Sequence, residues 1–267
     1  MNLSDEELIR YGRHIILKGI GIEGQEKIKN SKVLVVGAGG LGSASIYYLA
    51  AIGVGIIGIV ENDVVDISNL QRQILHDTEH IGIHKGEVAK KKIKALNPNV
   101  EVVLYKTLLD TTNVIDIIKD YEIVIDGSDN FQTKFLLNDV CYFLKKPLIH
   151  GAVLGFEGQL SVFVPSDNTP CYRCIYEEIP EEGLARKDLG VLGTVPGTIG
   201  ILQATETIKL ITGIGKPLIG EILVYNSLLS EFKKFKIKKN PSCPLCGTNP
   251  KIIKIDQENY KSICLDG

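Results

Sequence analysis

The chain has 267 residues, with 30 Lys and Arg against 32 Asp and Glu, which gives a net charge of −2 at pH 7. At 44% hydrophobic and 23% charged residues, the composition is typical of a globular protein and excludes a disordered chain. The near-zero net charge argues against nucleic acid or a membrane surface as a partner, and six cysteines are too few for a disulfide scaffold.

The N-terminal segment has no targeting pattern. Ser4 and Glu7 fit the capping box of a first helix, where a signal peptide would have a basic start and an apolar core. The longest apolar stretch, 46–60, is shorter than the ~20 residues of a spanning helix and is interrupted by glycines. The sequence therefore predicts a soluble, cytoplasmic protein.

Strands and helices alternate through the first part of the chain. Short β-branched runs predict strands at 33–36, 56–60, 100–104, 122–125 and 147–149. The segments between them predict helices at 41–52, 85–96, 111–119 and 131–144. This alternation predicts an α/β fold, namely a Rossmann-like, doubly wound and mostly parallel sheet.

The pattern changes after residue 150. Strands are predicted at 159–164, 220–225 and 228–237 and a helix at 197–212, which indicates an antiparallel back portion. Segment 176–194 is polar and lacks periodicity, so we predict a long connection of the kind that often carries function. We predict one domain over 1–267, made of two halves, 1–150 and 151–267.

A glycine-rich loop joins the first strand to the first helix of the sheet. Its sequence, GAGGLG at 37–42, fits G-x-G-x-x-G, which lets the backbone and a helix N-terminus approach a phosphate. Glu61 follows about 20 residues later at the end of the second strand, where an acidic residue would hold a ribose. We predict a nucleotide-binding loop. The loop alone does not distinguish NAD from ATP, and a packing turn without a ligand would also use glycines.

Charged side chains follow the other strand ends. The segment SNLQRQ at 68–73 contains Arg72, Lys85 begins the next helix, and Asp126, Asp129 and Asn130 follow the fourth strand. Because these strand ends face one crevice, we expect cations beside two aspartates. Cations suit a triphosphate and a carboxylate suits Mg²⁺, which argues against a nicotinamide-dependent dehydrogenase.

Two C-x-x-C motifs lie in the second half. They supply Cys171, Cys174, Cys243 and Cys246, which are the four thiolates that a closed tetrahedral Zn²⁺ site needs. Such a site has no open position for water, so its predicted role is structural. A redox pair at either motif, or unpaired thiols, are the alternatives.

Taken in order, several motifs resemble the MoeB/ThiF/HesA superfamily, the bacterial and archaeal relatives of ubiquitin-activating enzymes. They are RYGRHII at 10–16, the glycine loop, 68–73, Asp129-Asn130 and the two cysteine motifs, and the resemblance covers 8–246. It implies an adenylyltransferase that uses Mg-ATP to adenylate the C-terminal glycine of a ubiquitin-like sulfur carrier of the MoaD/ThiS type. Pyrophosphate leaves, and the product serves molybdopterin or thiamin-thiazole biosynthesis. The first half would bind nucleotide and the zinc-containing half would bind the carrier.

The resemblance also implies roles for individual residues. Gly39 and Gly40 would approach the nucleotide, and Glu61 would hold its ribose. Arg13 would reach the phosphates from the partner subunit of a homodimer. Asp129 would bind Mg²⁺, with Asn130 beside it. The residues expected to contact the phosphates are Ser68, Asn69, Leu70, Gln71, Arg72 and Lys85. The expected catalytic residues are Arg13, Arg72, Lys85 and Asp129.

One departure from the family pattern concerns mechanism. Some relatives have a cysteine that binds the carrier covalently, but the matching stretch 184–191 has none, and Arg186 occupies the position. This predicts adenylation without a covalent carrier–enzyme step. Two alternatives stay open, namely adenylation of a small-molecule or peptide carboxylate by the same core, and a non-enzymatic nucleotide-binding protein.

Overall fold

The structure is a computed structural model that describes residues 3–179 and 190–260. Within these residues, the helices are α1 (Asp5–Arg10), α2 (Gly12–Ile15), α3 (Gly21–Asn30), α4 (Gly40–Ile52), α5 (Lys85–Leu96), α6 (Val114–Ile118), α7 (Phe131–Phe143) and α8 (Thr194–Thr212). The strands are β1 (Lys32–Val36), β2 (Ile56–Val60), β3 (Glu101–Tyr105), β4 (Ile123–Asp126), β5 (Leu148–Leu154), β6 (Glu157–Phe163), β7 (Glu221–Asn226) and β8 (Glu231–Lys236).

In the described part of the chain, the strands form one sheet in the order β3-β2-β1-β4-β5-β6-β7-β8. Neighbours from β3 to β5 are parallel, because a helix crosses over between successive strands, whereas neighbours from β5 to β8 are antiparallel. The predicted Rossmann-like sheet with an antiparallel back portion is therefore confirmed. Strand order reverses between β1 and β4, and ligands of open α/β sheets bind at such a reversal.

Side chains of β1 alternate between two hydrophobic cores. Val33 and Val35 pack in the core covered by α4 and α8, whereas Leu34 and Val36 pack in the core covered by α6 and α7. A strand covered on both faces has apolar residues on both, which explains the continuous apolar run at 33–36. A third cluster surrounds the cysteines of the second half.

Helix α8 belongs to the second half of the chain but packs on α4 of the first half. The contact is close, because a Cβ on Gly200 would lie 2.3 Å from the Leu41 carbonyl oxygen. Gln203 of α8 also donates from Nε2 to the carbonyl oxygens of Asp126 and Ile149, at 2.8 and 3.2 Å. One side chain thus joins α8 to the last residue of β4 and to the second residue of β5.

Most predicted elements of the first half match the structure, with β2 and α5 observed at the predicted bounds. The prediction of a strand at 147–149 was too short, since β5 continues to Leu154 as one arm of a hairpin with β6. Helices α2 and α3 were not predicted.

Much of the predicted 176–194 connection, including Arg186, lies outside the described residues. Among those described, no helix is long and apolar enough to cross a membrane.

Candidate active site

The glycine loop makes a tight turn between β1 and α4. Gly37 has a φ of +91°, which favours glycine, and a Cβ on Gly42 would lie only 1.8 Å from the Gly37 carbonyl oxygen. Helix α4 begins at Gly40 without a side-chain cap, so its first N–H groups are available to an anion. The turn therefore has the local geometry of a phosphate-binding loop.

Two buried side chains hold the peptide groups of Ala38 within this loop. Glu61 accepts a hydrogen bond from the Ala38 N–H through Oε2 at 2.8 Å, and its Oε1 accepts from the N–H groups of Asn62 and Asp63. His76 Nε2 lies 3.0 Å from the Ala38 carbonyl oxygen, so Nε2 carries the proton and donates it. Burial lowers the pKa of His76, which favours this neutral form. The sequence did not indicate His76, and the ribose-binding role of Glu61 stays a prediction.

The segment 68–73 lies against the glycine loop. Asp66 caps the 3₁₀ turn Ile67–Asn69 by accepting from the Ser68 N–H at 2.8 Å, and the Arg72 Nη1 donates to the Ser68 carbonyl oxygen at 3.1 Å. A Cβ on Gly40 would lie 3.5 Å from Arg72 Cγ. The structure thus places Arg72 beside Gly40, as expected for a residue that contacts nucleotide phosphates.

Gln73 and Gln71 connect the same segment to its surroundings. Gln73 is buried, and its Nε2 lies 3.7 Å from the position of a Cβ on Gly39. The Gln71 carbonyl oxygen would lie 2.2 Å from a Cβ on Gly193, next to the start of α8. The glycine loop, the segment 68–73 and the N-terminus of α8 therefore meet at one place.

Lys85 begins α5 and is buried, and its Nζ lies 3.0 Å from Oδ2 of Asp63. The backbone N–H groups of Asn62 and Asp63 both donate to Glu61 Oε1, which fixes Asp63 next to the end of β2. The Lys85 ammonium, which pairs with Asp63, is therefore held there as well. This location is consistent with the predicted phosphate contact, which stays a prediction.

The loop after β4 also reaches the glycine loop. A Cβ on Gly127 would lie 2.9 Å from the Gly37 carbonyl oxygen, so the two loops are in contact. Asp129 is exposed, and Asn130 caps α7 by accepting from the Thr133 N–H at 2.8 Å. An exposed carboxylate at this point can bind a cation, whereas the Asn130 oxygen is already used by the helix.

The expectation that Asp126 faces the crevice beside Asp129 was wrong. Asp126 is completely buried, and its carboxylate pairs with Lys134 at 3.0 Å and His150 at 2.9 Å. The physical reason is that Asp126 is still part of β4, where its side chain points into the protein, while Asp129 lies in the loop beyond the strand.

Arg13 lies in α2 on an exposed apolar surface. Ile9, Ile16 and Leu17 are 83%, 73% and 51% exposed, and within residues 3–179 and 190–260 Arg13 makes no hydrogen bond or ion pair. The structure of one chain does not bring Arg13 together with the other candidate residues.

The four cysteines of the two C-x-x-C motifs come together. Their Sγ atoms all lie within 4.8 Å of one another, and the Cys171–Cys243 and Cys174–Cys246 distances are 3.6 and 3.4 Å. A zinc tetrahedron with ~2.3 Å bonds has S–S edges of ~3.8 Å, whereas a disulfide bond is only ~2.05 Å long. Convergence of four thiols is what a metal site requires, and a redox pair would need only two.

An ion pair connects the first cysteine motif to α7. Arg173, between Cys171 and Cys174, donates to both carboxylate oxygens of Asp139, from Nε at 2.9 Å and from Nη2 at 2.8 Å. Asp139 is fully buried and Arg173 is 3% exposed. The Arg173 guanidinium also lies over the Phe135 ring of α7, at 4.6 Å from its centroid. The site of the four cysteines is therefore attached to the helix that begins just after Asp129.

The sequence model of the ThiF family matches residues 11–245. The chain belongs to the ThiF family. As a ThiF-family member, it is 43% identical over 270 residues to the sulfur carrier protein adenylyltransferase of Thermus thermophilus, with 99% of each chain covered. It is 44% identical over 266 residues to the SAMP-activating enzyme E1 of Haloferax volcanii, covering 99% of this chain and 97% of that one.

A solved structure shares the fold of this ThiF-family chain. The E. coli MccB complex with MccA-N7isoASN superposes with a TM-score of 0.81 at 24% identity, covering 92% of this chain and 76% of that one. At this identity the likeness shows the fold alone. It confirms the doubly wound sheet with its antiparallel extension.

Proposed function

We propose that this chain is an ATP-dependent adenylyltransferase that activates the C-terminal glycine carboxylate of a ubiquitin-like sulfur carrier protein. The observation that carries the proposal is the meeting of the glycine loop, Arg72 and the Asp129 loop at the strand-order reversal. The names of the two relatives above support the activity and the type of substrate. The carrier would serve molybdopterin or thiamin-thiazole biosynthesis.

The chemistry needs positioning more than acid–base catalysis. A carboxylate is ionised at pH 7, so one of its oxygens attacks the α-phosphorus while the bond to the bridging oxygen breaks and pyrophosphate leaves. No proton has to be removed. Arg72 and Lys85 would neutralise charge on the departing pyrophosphate, and the α4 N-terminus would hold the phosphates.

Two metals fit the side chains present. Asp129 offers an exposed carboxylate oxygen beside the phosphate-binding loop, which is the ligand type that Mg²⁺ prefers, and Mg²⁺ would supply further charge neutralisation there. The four cysteines offer four Sγ atoms within 4.8 Å of one another, which is close enough for all of them to bind one Zn²⁺, and this ion would join residues distant in the chain.

Pyrophosphate exchange into ATP tests the activity. We expect exchange with a purified ubiquitin-like carrier ending in Gly-Gly, and a loss of about 10²–10³-fold for Asp129→Ala. Asp116→Ala is the matched control, because Asp116 is an exposed aspartate of α6 that pairs with Lys119. Wild-type exchange in Asp129→Ala would refute the assignment of Asp129. Exchange with a small carboxylic acid but with no carrier would favour the alternative substrate.

We also propose a homodimer in which Arg13 serves the partner subunit. The exposed apolar residues around Arg13 are a surface that a second copy could cover, and within the described residues the Arg13 guanidinium makes no hydrogen bond or ion pair. Arg13→Ala and Asp129→Ala should each be inactive, whereas a mixture refolded together should regain activity, because one hybrid site is intact. A mixture that stays inactive, or a monomer by light scattering, would contradict this proposal.

A further inference from the structure

A buried charged cluster lies directly beneath the loop that leads to Asp129. It consists of Asp126 at the end of β4, Lys134 on α7 and His150 on β5, which are 0%, 3% and 3% exposed. Asp126 Oδ2 accepts from Lys134 Nζ at 3.0 Å and from His150 Nδ1 at 2.9 Å. None of these side chains reaches the crevice, so the cluster is not part of the substrate-binding surface described above.

Lys134 uses all three of its N–H donors on groups from different segments. Besides Asp126, its Nζ donates to the carbonyl oxygen of Ser128 at 2.9 Å and to that of Gly151 at 2.8 Å. The Ser128 N–H and hydroxyl donate in turn to Oδ1 of Asp126. Both backbone polar groups of Ser128 are therefore fixed by this one cluster, and Ser128 is bonded directly to Asp129.

The charges in the cluster balance at neutral pH. Burial and the nearby Lys134 charge lower the pKa of His150, so this imidazole is neutral. Burial alone would raise the pKa of Asp126, but the Lys134 ammonium and the His150 donor hold that pKa below its usual range. In the part of the chain that the structure describes, the other titratable side chains near the cluster are the buried Cys141 of α7 and Tyr172, whose ring centroid is 4.7 Å from that of His150.

We propose that Lys134 is a positioning residue for adenylation, which fixes the Ser128 backbone and thereby orients Asp129 toward the metal–ATP complex. The inference rests on the proposed function. Burying a lysine and a carboxylate costs free energy that apolar side chains of similar size would not. Lys134 fits a positioning role because two of its three bonds go to backbone carbonyls, one of them next to the predicted metal ligand.

The test compares three variants at a temperature where each is folded by circular dichroism. Lys134→Met removes all three bonds, and Lys134→Arg keeps the charge and several donors. Asp126→Asn with Lys134→Met removes both charges together, so that no unpaired charge is left buried and the chain should fold even if the single variant does not. Lys209→Met is the matched control, because Lys209 pairs with Glu206 near the C-terminal end of α8.

Two readouts separate positioning from a merely structural role. In Lys134→Met and in the double variant we expect kcat for pyrophosphate exchange to fall 10–100-fold while KM for the carrier is unchanged. We expect Mn²⁺, measured by electron paramagnetic resonance with a non-hydrolysable ATP analogue, to bind 10–100-fold more weakly. Lys134→Arg should recover most of both losses, and Lys209→Met should lose neither.

Folded variants with wild-type kcat and wild-type Mn²⁺ affinity would overturn the inference, even if their melting temperatures were lower. Equal losses in Lys134→Arg and Lys134→Met would also overturn it, because the restored cation and donors would then have no effect. If the wild-type chain showed no exchange with any carrier, the proposed function would fail, while the Mn²⁺ measurement would still decide whether Lys134 orients Asp129.

Discussion

The buried pair Arg173–Asp139 allows a quantitative prediction about the junction between the four cysteines and α7. In Arg173→Met, the Asp139 carboxylate would lose the guanidinium and keep as donors the Asn138 amide at 3.0 Å and the Tyr260 hydroxyl at 3.2 Å. Breaking a buried pair by removing one partner leaves an uncompensated charge, which costs about 3–5 kcal/mol. We therefore expect this substitution to remove a large part of the stability of the domain, since natural domains have about 5–15 kcal/mol.

The loss should depend on pH in a defined direction. Burial already raises the pKa of Asp139 above its ordinary value in the presence of Arg173, and removal of Arg173 raises it further. A carboxyl with a raised pKa in the folded state stabilises the fold below its unfolded pKa of about 4, and this contribution is lost as pH rises through the folded pKa. The difference between variant and wild type should therefore be small near pH 4 and grow toward pH 7.

Urea denaturation at fixed zinc concentration, followed by circular dichroism at several pH values, measures both effects. Arg10→Met is the matched control, because Arg10 pairs with Glu6 on the surface. Loss of this exposed ion pair should lower the free energy of unfolding by about 1 kcal/mol or less. Asp139→Asn combined with Arg173→Met should recover most of the loss, because no charge is then left unpaired. The reasoning is refuted if Arg173→Met costs no more than the surface control, or if the double variant is as unstable as the single one.

Two further substitutions test the glycine loop and the cysteine cluster. Gly42→Ala would place a Cβ 1.8 Å from the Gly37 carbonyl oxygen, so calorimetry should show loss of binding of a non-hydrolysable ATP analogue, whereas Gly197→Ala, with open space around it, should bind normally. Cys243→Ser should lower the zinc content measured by mass spectrometry from one per chain and lower the melting temperature, while Cys141→Ala should keep its zinc.

The parts of the site that sequence predicts well are those set by local pattern and sheet topology. A strand followed by glycines and a helix predicts the phosphate turn, and the common edge of parallel strands predicts that Glu61, Arg72 and Asp129 lie near one another. The structure places Arg72 beside Gly40 and the Asp129 loop against Gly37 for this reason. These placements need no knowledge of which side chains pair in the interior.

The parts that sequence did not predict depend on pairing across the interior. Asp126 and Asp129 look alike in the sequence, but only Asp126 meets His150, which comes from another strand. His76 looks like a loop residue, and its bond to the Ala38 carbonyl spans 38 positions of the chain. Such partners are fixed by the packing of several helices and strands together. The hydrophobic periodicity of the sequence contains no information about them.

The single domain over 1–267 stays a prediction, and α8 provides the physical argument for it. This helix of the second half covers the core that also contains Ile46 and Leu49 of α4, and its Gln203 joins β4 to β5. A fragment 1–150 would expose several of these side chains, each worth about 1.5–3 kcal/mol when buried. We therefore expect the fragment to show no cooperative urea transition, whereas the full chain unfolds in one. A cooperative transition of the fragment, with dispersed amide resonances, would show instead that the nucleotide-binding half is a domain by itself.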